Sequence, residues 1–252
     1  MRALALIVLG SIAACDTVST DGSTPSPPDT GPGTVSSDVP EQFRVFTEGV
    51  TVWMDGDVLV VESTGVPDHD SPYFDTSDSR YEAYNGGNAS FHLNPNRIAA
   101  QDHVFRIPAE PAALDTPSPT PLGPIGVSLN GVPFYNQYAG PDNQPLTREI
   151  DSFDQYNGHP QQHGGYHYHA EPYSLTDRFG SDALLGFLLD GYPVYGPEEN
   201  GVRVRESDLD MAHGHEHATE EYPEGVYHYH VTDVDPYING AGFHGQPGTA
   251  SW

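Results

Sequence analysis

An all-β fold with short helices only is what this sequence predicts: a duplicated antiparallel β-domain, sandwich or barrel-like, with a pseudo-symmetric repeat. Three observations carry the prediction. Apolar stretches are short and punctuated by turn-forming pairs, no long stretch beyond residue 43 runs at helical period, and one frame of residues occurs twice. With 27 glycines and 24 prolines in 252 residues, the chain has the turn formers that many short strands need.

The repeated frame opens with Gly126, Asn130, Gly131, Pro133 and Tyr135, which return sixty positions later as Gly186, Asp190, Gly191, Pro193 and Tyr195. A second shared element follows. Asp154, Gly158 and His159 correspond to Asp210, Gly214 and His215 at an offset of fifty-six. The frame closes on a tetrad, Tyr166-His167-Tyr168-His169, matched by Tyr227-His228-Tyr229-His230 at an offset of sixty-one, so five residues have entered the second copy between His215 and Tyr227. Pro172-Tyr173 and Pro236-Tyr237 come after the tetrads. The copies span about 125–175 and 185–240, and two copies predict one pseudo-symmetric domain rather than a solenoid, which needs three or more. Asn130-Gly131 and Asp190-Gly191 sit between apolar runs and predict tight hairpins with positive φ at the glycine.

Residues 1–14 hold one arginine, an apolar run and then small residues, which reads as a secretory signal. Ile12-Ala13-Ala14-Cys15 resembles a bacterial lipobox, so Cys15 is expected to be acylated. It is the only cysteine, which excludes an intramolecular disulfide. An ordinary signal peptide with a chance cysteine is the alternative. From residue 16 to about 42 the chain is rich in Ser, Thr, Pro, Gly and Asp and is expected to be a flexible tether. The folded domain is expected over 43–252. Its first hairpin surrounds Asp55-Gly56, flanked by two β-rich runs. The short run from His103 to Pro108 predicts a strand, and residues 108–124, with six prolines, predict an irregular linker or edge-covering loop. Short helices are expected near Asp182 to Leu185 and Glu206 to Met211.

Nine arginines and no lysine stand against thirty-six acidic residues, a net charge of −27. That charge excludes nucleic acid and anionic membrane surfaces as partners; contact with a membrane is expected only through the lipid on Cys15. It suits cations, and it equally suits a solvated acidic surface.

Thirteen histidines are present, and they crowd into the repeat. In a strand, side chains alternate between faces, so His167 and His169 share one face and Tyr166 and Tyr168 the other. Each copy thus offers three imidazoles: His159, His167 and His169, then His215, His228 and His230. Three ring nitrogens leave an open position on zinc, and imidazole also suits copper. A single His-x-His would more simply be a hydrogen-bonded strand pair; retention of the pair with its upstream histidine in both copies points to a metal ion. Asp154 and Asp210 are expected either to accept from a ligating ring and fix its tautomer or to cap a turn. His69 is a candidate to complete a site from outside the repeat. His213 and His217, within His-Gly-His-Glu-His, are expected in a solvated loop, and the tetrad tyrosines are expected to pack in the core.

The chain resembles the bacterial YHYH-domain family through Gly65, Pro67 and His69, Asn94-Pro95-Asn96, the run from Ile125 to Phe134, Asn157-Gly158-His159, both tetrads, and the run from Leu185 to Pro197. The resemblance covers roughly residues 43–245 and implies an exported or surface protein, with no particular reaction. Relatives often carry a cysteine before the Asn-Gly-His element and a cysteine pair near the domain end; this chain has Tyr156 and Ala212 there and no such pair, so packing must replace any disulfide. Three functions fit the residues: a membrane-anchored extracytoplasmic lipoprotein binding zinc or copper, periplasmic or surface-exposed; a metal-dependent hydrolytic or oxidative enzyme with an open coordination position; or a surface structural or interaction protein with both tetrads in its core. No nucleophile elbow or phosphate loop supports another catalytic class.

Overall fold

The computed structural model describes residues 33–252 apart from Glu48 and Pro141. The expected leader, Cys15 and most of the tether therefore lie outside the described residues. Packing begins earlier than residue 43. Val39 is fully buried, Ser36 N–H donates to Val52 O at 2.9 Å, and a one-turn helix forms at Glu41–Phe43.

Two sheets carry the fold. Their strands are, in chain order, β1 (Thr51–Asp55), β2 (Val58–Ser63), β3 (His103–Pro108), β4 (Pro124–Ser128), β5 (Pro133–Tyr135), β6 (Gly158–Pro160), β7 (Tyr166–Tyr168), β8 (Leu184–Leu188), β9 (Pro193–Tyr195), β10 (Gly214–His217), β11 (Val226–His230) and β12 (Thr249–Ser251). The smaller sheet runs β1-β2-β3-β12 and is antiparallel throughout. The larger has eight strands in the order β10-β11-β9-β8-β4-β5-β7-β6. Its two ends do not pair, so the sheet is open; of the two expected forms the sandwich is the one that fits. The inner faces of both sheets share one core in which Val52, Leu59, Phe105 and Ile107 of the smaller sheet join Val127, Phe134, Phe187 and Val194 of the larger. Phe43 and Phe46 lie against Phe187 with ring centroids 4.8 and 6.0 Å away.

The eight-stranded order reads alike from either end. Its centre is the antiparallel β4–β8 pair, with Val127 opposite Phe187, Gly126 opposite Leu188 and Gly186 opposite Ser128. From there each half proceeds through a hairpin partner (β5 or β9), a parallel neighbour (β7 or β11) and an antiparallel edge strand (β6 or β10). The parallel pairs qualify the antiparallel expectation. They arise because the chain leaves β5 and β9 and returns from a distance to lay the tetrad strand alongside. Both hairpins are three-residue loops, with Gly131 at φ 78° and Gly191 at φ 87° and N–H bonds of 2.9 and 3.0 Å back to Ser128 O and Leu188 O. Glycine closes such a loop without the steric cost a Cβ would bring.

Several local expectations need correction. Residues 108–124 are not irregular throughout: Ala113–Ser118 is a strand paired with Phe243–Gly245. No helix forms over Asp182 to Leu185, because Leu184 already begins the fully buried strand β8. Glu206–Asp208 makes only a single 3₁₀ turn. The one α-helix among the described residues, α1 (Tyr173–Phe179), starts after Pro172 and stops at Gly180, φ 115°. Its two turns are too short to show a helical period in sequence.

Candidate metal centres

The element before each tetrad builds the same turn twice. Asp154 N–H donates to Gly158 O at 2.8 Å and Asn157, at φ 64°, donates to Asp154 O at 3.0 Å; Asp210, Gly214 and His213, at φ 76°, repeat this at 2.9 and 3.1 Å. A Cβ at Gly158 would fall 2.3 Å from the Tyr166 ring, and one at Gly214 would fall 2.5 Å from the Tyr227 hydroxyl. The bare glycine therefore lets each tetrad's first tyrosine reach the aspartate. Tyr166 Oη donates to Asp154 at 2.9 Å and Tyr227 Oη to Asp210 at 2.8 Å. Neither aspartate meets a histidine ring in a hydrogen bond. Asp154 accepts from Ser71, Tyr166 and the backbone of Tyr156 and Gly158, and Asp210 from Tyr227, Ala212 and Gly214. They cap the turns and hold tyrosines, and the expectation that they fix a ligand's tautomer is corrected. Burial pushes the Asp154 carboxyl up.

The tetrad strands alternate as expected. Tyr166, Tyr168 and Tyr229 pack into the shared core, with Tyr168 Oη close to Asn130 Nδ2 at 3.2 Å and Tyr229 Oη donating to Asp190 at 2.6 Å. The histidines take the opposite face. His167 sits directly across from His159 on β6, and His228 directly across from His215 on β10. Cross-strand partners on one face are close enough to share a ligand.

In the first half His159 Nε2 lies 3.1 Å from His167 Nε2, which lies 3.0 Å from His169 Nε2. In the second half His215 Nε2 and His230 Nε2 are 3.1 Å apart. These are not hydrogen bonds, because each ring has another acceptor for its one proton, which for His215 is the backbone of Asp208. His167 donates to Gly165 O and His228 to Val226 O, each two residues upstream, at 3.2 and 2.9 Å. His169 donates to Asn136 O and His230 to Gly196 O at 2.6 and 2.7 Å. His159 Nδ1 donates to Ser152 Oγ at 2.7 Å, whose own hydrogen goes to Glu149 O. In each half, Nε2 lone pairs therefore face one another with no proton between them, an arrangement that a cation relieves.

A carboxylate joins each set. Glu149 Oε1 is 3.3 Å from His159 Nε2, and Glu199 Oε2 is 3.8 Å from His215 Nε2. The donor atoms of Glu149, His159, His167 and His169 lie within 4.8 Å of one another, as do those of His215, His228 and His230, and those of Glu199, His215 and His217. These groups could hold a metal ion. Burial holds His169, His228 and His230 down to about 4, and burial with the neighbouring imidazoles holds His167 well below its ordinary value, so these rings are neutral at pH 7. The Glu149 carboxyl is held below its ordinary range: burial works upward, and its close contact with His159 and His169 outweighs it. Tyr135 stacks on His167 at 4.0 Å and Tyr195 meets His228 edge-on at 5.0 Å, so the shared Pro-x-Tyr of the frame walls each cluster.

His69 joins neither group. Its rings bond Asp70 O and Tyr168 Oη, both at 2.9 Å, on the tyrosine face, so its expected place in a metal site is corrected. His213 is not solvated: it is 1% exposed, and its Nε2 lies 3.1 Å from Thr232 Oγ1. His217 is exposed, yet bonds Glu199 at 2.9 Å. Glu149 and Glu199 were not visible as site residues in the repeat because they are not register equivalents. Glu199 stands four residues after Tyr195, where the first copy has Ala139, and Glu149 is the residue that caps the start of the one-turn helix Ile150–Ser152.

The paired turns, tetrads and frame define a histidine-lined, twofold β-sheet protein. Residues 104–202 and 198–242 match the family model of the YHYH protein, more than half of the chain, so the chain belongs to the YHYH family. The match begins at residue 104 and leaves the elements at 65–69 and 94–96 outside it. No curated protein and no solved structure matches the chain.

Proposed function

We propose that the protein is an exported lipoprotein, anchored through Cys15, that binds two transition-metal ions, zinc or copper, one at each histidine cluster. The observation that carries this reading is the convergence of proton-free Nε2 atoms at 3.0–3.1 Å in both halves. Imidazole with one carboxylate suits Zn²⁺ and Cu²⁺; Cu⁺ would call for thiolate or thioether donors, which neither group contains. The clusters stand at opposite ends of the eight-stranded sheet, on β6–β7 and β10–β11, which supports two sites over one shared site. A purely structural role for the tetrads accounts for the tyrosines but leaves the opposed lone pairs without purpose.

Metal analysis of the purified protein should find two equivalents, with one lost in His167→Ala and the other in His228→Ala. Unchanged content in both variants would end the proposal. The anchor rests on the leader and lipobox in the sequence; no helix among the described residues is long and apolar enough to cross a membrane. Cys15→Ser should move the protein from the membrane to the soluble fraction, and a variant that stays membrane-bound would remove the lipid from the account.

A second reading has one observation in its favour. An open cavity of about 580 Å³ is lined by His228, His230, Glu199 and Tyr195 beside the second cluster. Three imidazoles with an adjoining cavity leave a coordination position for water or a small substrate, as a metal-dependent enzyme needs.

A further inference from the structure

The two halves differ in one respect that symmetry does not predict. On edge strand β10, His215 and His217 are two residues apart and project from the same face, with ring centroids 4.2 Å apart. The corresponding residue after His159 is Gln161, whose amide donates to Tyr135 Oη at 2.9 Å. Only the second half thus carries a histidine two residues beyond its edge-strand ring, and only there does a carboxylate approach both an inner and an outer ring. Glu199 holds His217 Nδ1 at 2.9 and 3.0 Å and stands 3.8 Å from His215 Nε2.

We propose that Glu199, His215 and His217 form a loading station that captures a divalent transition-metal ion from solvent and passes it inward to His215, His228 and His230. The inference rests on the reading of the inner cluster as a metal site. Exposure falls steadily along the line: the side chain of His217 is 55% exposed, that of Glu199 23%, that of His215 13%, and His228 and His230 are 1% exposed. Because His215 belongs to both sets, one ion cannot be bound at each; the station and the inner site are alternative positions of one ion. Capture replaces the hydrogen bond between His217 Nδ1 and Glu199, the neutral ring carrying its hydrogen on Nε2 instead, and the ion then exchanges His217 for His228 and His230 while His215 stays bound. No ligand is released before its replacement is within reach, so the ion need not regain its full hydration shell on the way in. The station also lies where Glu198, Glu220 and Glu221 line the adjoining cavity, which raises the local concentration of cations.

The test is the kinetics of zinc loading into the metal-free full-length protein, and of its release to a chromogenic chelator, for the wild type, His217→Ala and His217→Gln. The glutamine variant copies what the first half carries at Gln161 and guards against a folding artefact. Both variants should keep two equivalents, with one of the two loading and leaving on the order of tenfold more slowly. Unchanged rates would overturn the station. Loss of one equivalent in either variant would also overturn it, by making His217 a permanent ligand. If the wild type itself binds no zinc or copper, the reading of the clusters as metal sites fails, which is a different result from unchanged rates in a protein that does bind.

Discussion

Gly126→Ala and Gly186→Ala are each expected to destabilise the protein by roughly 3 kcal/mol or more, the upper range for overpacking a core. The two glycines flank the Val127–Phe187 pair at the centre of the eight-stranded sheet, Gly126 opposite Leu188 and Gly186 opposite Ser128. A Cβ on Gly126 would lie 2.4 Å from Phe187 O and 2.8 Å from Leu188 Cα. One on Gly186 would lie 2.3 Å from Val127 O and 2.7 Å from Ser128 Cα. All of these are backbone atoms of the opposing strand, which cannot yield without breaking the ladder that joins the halves. At about 2–4 °C per kcal/mol for a chain of this size, the midpoint should fall by roughly 6–12 °C. Gly56→Ala is the control: its Cβ would meet nothing within 4 Å, and only φ of 66° opposes it, worth about 1 kcal/mol. Thermal unfolding of the three variants decides the matter, and central variants no worse than the control would refute the account of the sheet centre.

Chelating the metal should lower the unfolding midpoint, and the difference the chelator makes should shrink as pH falls through the range where the rings protonate. An ion held at a hundred times its dissociation constant contributes about 2.7 kcal/mol per site, so two sites are a large part of an ordinary domain's stability. The pH dependence follows from the rings. His169, His228 and His230 stand at about 4 in the folded chain, held down by burial, against about 6.5 when unfolded. Between those values the unfolded chain binds more protons. The folded state is therefore at full strength above about pH 6.5, weakens as pH drops towards 4, and levels off below that. The metal competes with the same protons, so release belongs to the same window. Scans from pH 8 to 4 with and without chelator check both statements. Identical midpoints in the two series would mean that no ion contributes to the fold.

How much of this could be read from the sequence depended on whether a residue's role is local. Asn130-Gly131 and Asp190-Gly191 announced their hairpins because a three-residue loop needs a left-handed residue at a fixed place. The alternation of Tyr166 to His169 placed the imidazoles on one face without knowledge of the neighbours. What neighbours decide was less legible. The tetrad strands run parallel to β5 and β9, which no local pattern encodes. Glu149 was hidden because its partner in function, Glu199, occupies a different place in the frame. Asp154 and Asp210 had the right chemistry to orient a histidine, and the role went instead to backbone carbonyls at Gly165, Asn136, Val226 and Gly196, which are invisible as side chains. His69 was misplaced for the same reason: its chain position is compatible with either face, and Tyr168 claims it.

The outermost strands of the eight-stranded sheet, β6 and β10, are the ones that carry His159 and His215. An unpaired strand margin is a template on which a foreign chain can add itself, the usual route to fibrous aggregates. A cation bridging each of these margins to the strand beside it would rivet both ends of the sheet and keep them from peeling away. Starvation for the ion would then expose two sticky borders at once, and the penalty would be self-association rather than simple loss of cargo.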